Sequence, residues 1–111
     1  MINHEIIFND LTNKLSSKYE NVEPGKMMSS PGITYKSKVF AFFYNDKMVF
    51  RLGRNFNIEK AAVSEYELLS PFKNKPPMAD WFVISATDQQ KWELLAEAAL
   101  TEIKNKIDKK I

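Results

Sequence analysis

One hairpin constrains the fold of this chain more than any other stretch. Lys38-Val39-Phe40-Ala41-Phe42-Phe43-Tyr44 is followed by Asn45-Asp46 and then by Lys47-Met48-Val49-Phe50-Arg51-Leu52. Two β-rich runs joined by a two-residue Asn-Asp turn form a hairpin whose turn also sets the register. With Tyr44 opposite Lys47, Phe43 faces Met48, Phe42 faces Val49, Ala41 faces Phe50, Phe40 faces Arg51 and Val39 faces Leu52. Side chains alternate across a strand. Strict alternation then puts Val39, Ala41, Phe43, Met48, Phe50 and Leu52 on an apolar core face. Phe40, Phe42, Tyr44, Lys47, Val49 and Arg51 fall on the other face, aromatic with cations among it.

The flanking sequence supplies helices for one side of such a sheet. Residues 3–19 place Ile7, Leu11, Leu15 and Tyr19 on one helical stripe, with Phe8 beside them. Glu23-Pro24-Gly25 breaks that helix, because proline cannot continue it. Lys26–Ser29 and Gly32–Lys36 read as short strands around a Ser30-Pro31-Gly32 turn, and Lys36-Ser37 is the tight turn into the hairpin. Gly53 ends the hairpin's second strand, and a short helix is expected over Ile58–Tyr66. Ser70 to Pro77 reads as a loop and Met78–Ser85 as the last strand, with Trp81 and Val83 on one face and Phe82 and Ile84 on the other. Thr87 with Gln90 forms a capping-box pattern. The helix after it carries Trp92, Leu95, Ala96, Ala99, Ile103 and Ile107 in one stripe. The expected fold is therefore α+β: an antiparallel sheet of about five strands, terminal helices on one face, and a short helix between the last strands.

Chemistry is harder to find. The chain has 111 residues, one histidine and no cysteine, which excludes disulfides and thiolate catalysis. His4 lies beside the N-terminus, so neither a Ser-His-Asp arrangement nor a histidine metal site is expected. Glu20 with Glu23, and Glu65 with Glu67, do not form acid–base couples. No phosphate-binding glycine loop is present. The chain is read as non-enzymatic, with no catalytic residue, metal or cofactor. It has no apolar run near the roughly 20 residues of a membrane span and no secretory leader, so a cytoplasmic location without membrane partners is expected.

The net charge of +2 is small, but its distribution is uneven. Between residues 26 and 54 lie Lys26, Lys36, Lys38, Lys47, Arg51 and Arg54, against one acid, Asp46. Three readings of the aromatic-basic face follow. Phe40, Phe42, Tyr44, Lys47 and Arg51 could form a homodimer seam or a partner-protein interface, where aromatics and arginine are enriched. Lys36, Lys38, Lys47, Arg51 and Arg54 could instead hold phosphates of a nucleic acid. In the third, a helix covers the face and Arg51 rests over Phe40 in a cation–π contact. Met27, Met28, Met48 and Met78 are read as core filling. Lys104, Lys106, Lys109 and Lys110 are read as a solvated helix end that opposes the macrodipole.

The order of motifs adds a family resemblance. Gly25-Lys26-Met27-Met28 opens the sheet, and Tyr35 to Ala41 leads into Met48-Val49-Phe50-Arg51-Leu52-Gly53. Pro71-Phe72, Lys75-Pro76-Pro77-Met78 and Trp81 precede the closing helix Trp92 to Leu100. Over about residues 5–105 this resembles the N-terminal domain of the TfoX/Sxy proteins, regulators associated with natural competence in bacteria. The resemblance implies a bacterial, cytoplasmic, non-enzymatic regulatory protein. Its motif positions here are Gly25, Met27, Gly53, Lys75, Pro76, Met78 and Trp81. Full-length regulators carry a second domain, whereas residues 1–111 read as a single TfoX N-terminal-like domain. A competence role is therefore not carried over. An open sheet face acting through protein contacts is the leading functional expectation, and nucleic-acid binding by the same face is the alternative.

Overall fold

Both tight turns of the hairpin region close where local sequence allows, and they build the sheet outward from the centre. The computed structural model describes residues 4–27, 30–44, 46–53, 56–61, 66–69 and 78–108, without the side chains of 59, 61, 69, 78 and 79. Strand β3 (Lys38–Tyr44) pairs with β4 (Lys47–Arg51) in the expected register, from Tyr44 opposite Lys47 to Ala41 opposite Phe50. Ahead of it, β2 (Ser30–Tyr35) turns into β3 through Lys36 and Ser37. Both turn residues have positive φ, 49° and 72°. That conformation suits the right-handed twist of a two-residue hairpin.

Among the described residues the sheet has six antiparallel strands in the order β1-β2-β3-β4-β6-β5, with β1 at Val22–Met27, β5 at Tyr66–Leu69 and β6 at Met78–Ile84. Helices α1 (His4–Lys18) and α2 (Trp92–Asp108) pack on one face. This is the α+β arrangement expected, with three local corrections. Glu23-Pro24-Gly25 lies inside β1, and Ser30-Pro31-Gly32 lies inside β2. Pro24 is tolerated because β1 is an edge strand, where a missing ladder donor costs least. The short helix is a 3-10 turn over Ile58–Ala61 only, and Tyr66 belongs to the strand β5.

The third correction concerns the faces of the hairpin. Between Ile33 and Thr34 the β2–β3 register shifts: Ile33 pairs with Ala41 but Thr34 pairs with Val39, so Phe40 has no opposite number. A bulge of this kind puts two residues against one and breaks strict alternation. Phe40 consequently joins Ala41, Met48 and Phe50 in the helix-facing core at 0% exposure. Val39 moves to the opposite face beside Phe42, Val49 and Trp81. There Phe42 is 1% exposed and its ring meets Trp81 at 5.5 Å between centroids. The expected aromatic row is thus split between two buried clusters, and of its three rings only Tyr44 is exposed, at 55%. The third reading is also corrected: among the described residues no helix residue packs on the Phe42, Val49 and Trp81 cluster, and Arg51 lies over Trp81, 5.9 Å from the ring centroid, and not over Phe40.

The closing helix enters differently from its sequence pattern. Ser85 is the cap, its side chain accepting from the Thr87 backbone N–H at 3.2 Å. A 3-10 segment over Ala86–Lys91 then leads into α2 at Trp92. The predicted stripe holds: Trp92, Leu95, Ala96, Ala99 and Ile103 are buried, joined by Leu100, and Ile107 packs at the margin. The bulge makes a direct prediction. Phe40→Ala should lower urea-unfolding stability by about 3–5 kcal/mol, the usual cost of emptying a buried aromatic site. Tyr44→Ala should change it by less than about 0.5 kcal/mol. Equal, small effects of the two substitutions would contradict the placement of Phe40.

Candidate functional site

The cations of the sheet do not share one surface. Arg51 ends β4, while Lys36 and Lys38 sit at and just after the β2–β3 turn, so antiparallel pairing brings all three to the same end of the sheet. The last turns of α2 run over that end. Together Lys36, Lys38, Arg51 and Lys106 rim a groove of about 590 Å³ whose apolar lining is Ile103 and Ile107. Lys47 is left at the opposite end of the hairpin, beside a much smaller hollow of about 50 Å³ that Tyr66, Glu67, Val83 and Ser85 also line. Arg54, Lys75 and Pro76 lie outside the described residues. So three of the five cations proposed for phosphate binding come together, one does not, and a fourth groove cation, Lys106, comes from the helix end read as merely solvated.

The remaining described motif positions lie in the sheet and at the end of β4. Gly25 and Met27 are on β1 and Met78 opens β6. Gly53 follows β4 with φ 90°, a conformation that disfavours any side chain. A Cβ there would also sit 3.0 Å from Glu102 Oε1 of α2. The Leu52 and Gly53 N–H groups both donate to the Asp80 carbonyl, at 3.0 and 3.2 Å, fixing β4 to β6 just beyond Arg51.

Electrostatics within the groove are uneven. Lys36 Nζ donates to Asp108 Oδ1 at 2.8 Å, and the Tyr35 hydroxyl donates to Asp108 Oδ2 at 2.7 Å. Lys106 Nζ lies 3.9 Å from Asp80 and 3.7 Å from Glu102, the latter an i,i+4 pair along the helix. Among the described residues Lys38 and Arg51 have no carboxylate partner, and the buried Arg51 Nε has no hydrogen-bond partner. Lys104 stands over both the Tyr19 and Tyr35 rings, at 4.9 and 5.7 Å. A second hollow, about 320 Å³, lies between α1 and the 3-10 segment, where Lys14 and Glu93 pair at 2.8 Å across its rim.

His4 is placed structurally. Its Nδ1 lies 2.8 Å from Asp46 Oδ2, and its ring meets Trp92 edge-on at 6.3 Å, tying α1 to the β3–β4 turn. Among the described residues no group of three or more His, Asp or Glu side chains is arranged to hold a metal. No helix among them is long and apolar enough to cross a membrane. No family model, curated protein or solved structure matches the chain.

The Asp108 cluster carries a pH dependence. Hydrogen bonds from Lys36 first, and then from Tyr35, hold the Asp108 carboxyl below its ordinary value. Its folded form therefore titrates lower than its unfolded form. The stability it contributes is present above the ordinary carboxylate range and is lost as pH falls through the folded value. Thermal unfolding should show the native protein above Asp108→Asn at neutral pH, with the gap closing on acidification. A gap of constant size from neutral to acid pH would contradict the cluster.

Proposed function

We propose that this chain is a small non-enzymatic interaction protein of the regulatory type implied by the TfoX N-terminal resemblance, acting through contacts with another protein in a bacterial cytoplasm. The contact surface is the basic groove at the end of the sheet, in place of the flat aromatic face expected from alternation. One observation carries this reading: four cations from the β2–β3 turn and from β3, β4 and α2 surround an apolar lining in a single groove. Its volume falls in the roughly 300–1,000 Å³ range of clefts that enclose a ligand or a segment. A homodimer seam built on Phe40 and Phe42 loses its basis, because both rings are buried within the chain.

Nucleic-acid binding is the second reading, favoured by the meeting of Lys36, Lys38 and Arg51. Against it stands the absence, among the described residues, of a stacking platform beside these cations. The described aromatics nearest these cations, Tyr35 and Trp81, are both buried. Base stacking needs an accessible ring face.

Fluorescence anisotropy of a short labelled duplex and its single strand, titrated with protein at low and physiological salt, separates the two. The protein-contact reading predicts no saturable binding at low salt. Micromolar or tighter binding, weakened by Arg51→Ala and falling steeply with salt because binding releases counterions, would put nucleic acid first.

A further inference from the structure

Resting on that reading of the groove, we infer that its partner is an acidic protein segment with apolar anchors, and that Asp108 is a built-in competitor for it. The chain's own contacts show the chemistry. Asp108 offers one carboxylate oxygen to Lys36 and the other to Tyr35, so a carboxylate already sits on this rim in a two-donor arrangement. Next to it, Lys38 and Arg51 lack any carboxylate partner among the described residues. Arg51 is held in place from one side by the Trp81 ring. An arginine oriented in this way loses little freedom on meeting a planar carboxylate, which its fork matches.

Three features select the occupant. The cations do not converge on one point, since Lys36 is turned to Asp108 and Lys106 towards Asp80 and Glu102. A single small oxyanion would need such convergence; acids spaced along a chain do not. Next, the lining by Ile103 and Ile107 rewards apolar side chains, which a phosphodiester backbone does not present. Finally, the segment's carboxylates and the two groove cations without a carboxylate partner among the described residues are complementary in charge, which adds specificity and speeds encounter.

Release of Asp108 follows from the same geometry. A segment long enough to engage Lys38 and Arg51 brings a further acid against Lys36, where it meets the Asp108 carboxylate. The two like charges compete for one ammonium. Removing the Asp108 charge should therefore tighten binding, while reversing Lys38 should weaken it.

The test uses the full chain and two fluorescein-labelled peptides of equal length and charge, one alternating glutamate with leucine, the other glutamate with serine, read by anisotropy at two salt concentrations. Supporting results are binding of the leucine peptide at least about tenfold tighter than the serine peptide, as burial of even two leucines gives. With it should come a loss of about tenfold or more in Lys38→Glu, as expected for a charge-assisted contact. Asp108→Asn should tighten binding about two- to fivefold, the scale of an exposed ion pair. Lys38 is exposed and outside the core, so its variant reports binding even if Arg51→Ala proves too unstable, and Lys47→Glu is the control at the far end of the hairpin. Equal binding of both peptides would overturn the apolar-anchored segment while leaving a basic groove for anions. Binding of neither peptide, or binding abolished by Lys47→Glu and untouched by Lys38→Glu, would overturn the groove itself.

Discussion

The single extra residue at Phe40 is the constraint on which the rest of the structure depends. A hairpin with strict alternation would have placed Phe40, Phe42 and Tyr44 together on the face away from the helices. Inserting one unpaired residue turns Phe40 under the helices with Ala41, and turns Val39 to the opposite side with Phe42 and Val49. Phe42 stays on that second face and is buried there against Trp81, while Tyr44 remains exposed. Each aromatic side chain buried in this way contributes on the order of 2 kcal/mol or more, far above any exposed ion pair on the molecule. On the proposed reading the contact surface is therefore the sheet's end, where Lys36, Lys38 and Arg51 meet, and not its face.

That end is shaped by how α2 is fastened. Two tyrosines, Tyr19 after α1 and Tyr35 on β2, donate to two carboxylates of α2, Glu97 and Asp108. Lys104 lies across both rings between them. The Tyr19 hydrogen bond first, aided by Lys18, holds the Glu97 carboxyl below its ordinary value. These polar ties are exposed or half-buried and individually weak. They set the position of the helix end, while the buried stripe of Trp92, Leu95, Ala96, Ala99, Leu100 and Ile103 packs the helix on the sheet. Since the same last turns carry Ile103, Lys106, Ile107 and Asp108, the fastening of the helix and the shape of the groove share residues.

How far the molecule was legible in its sequence follows from what each pattern encodes. The Asn-Asp turn and period-two runs specified the β3–β4 register, and the 3.6-residue stripes specified both helices, because each repeats over many residues. The bulge is a single insertion defined by the neighbouring strand β2, so no periodicity within β3 announces it. Tyr66-Glu67-Leu68-Leu69 is too short to separate a strand from a helix end, and it became β5 through pairing with β6. Thr87 looked like the cap because Gln90 follows it at capping-box spacing, yet the chain begins its turn two residues earlier on Ser85. Of the site, Lys36, Lys38 and Arg51 were visible as a basic stretch. Lys106 was hidden in a lysine-rich helix end. The signal that could have found it is the apolar stripe itself, which runs on through Ile107 and so keeps the last turn against the sheet.

The account's central claim is that contact with a partner occurs at the sheet's end and not on its face. Mapping backbone amide shifts of the isotope-labelled protein during titration with the glutamate–leucine peptide tests it most directly. The account predicts perturbations concentrated at Lys36, Lys38, Arg51 and residues 103–107, with Tyr44, Lys47 and Tyr66 unchanged. Perturbations centred on Tyr44, Lys47 and Tyr66, with the groove residues silent, would contradict it.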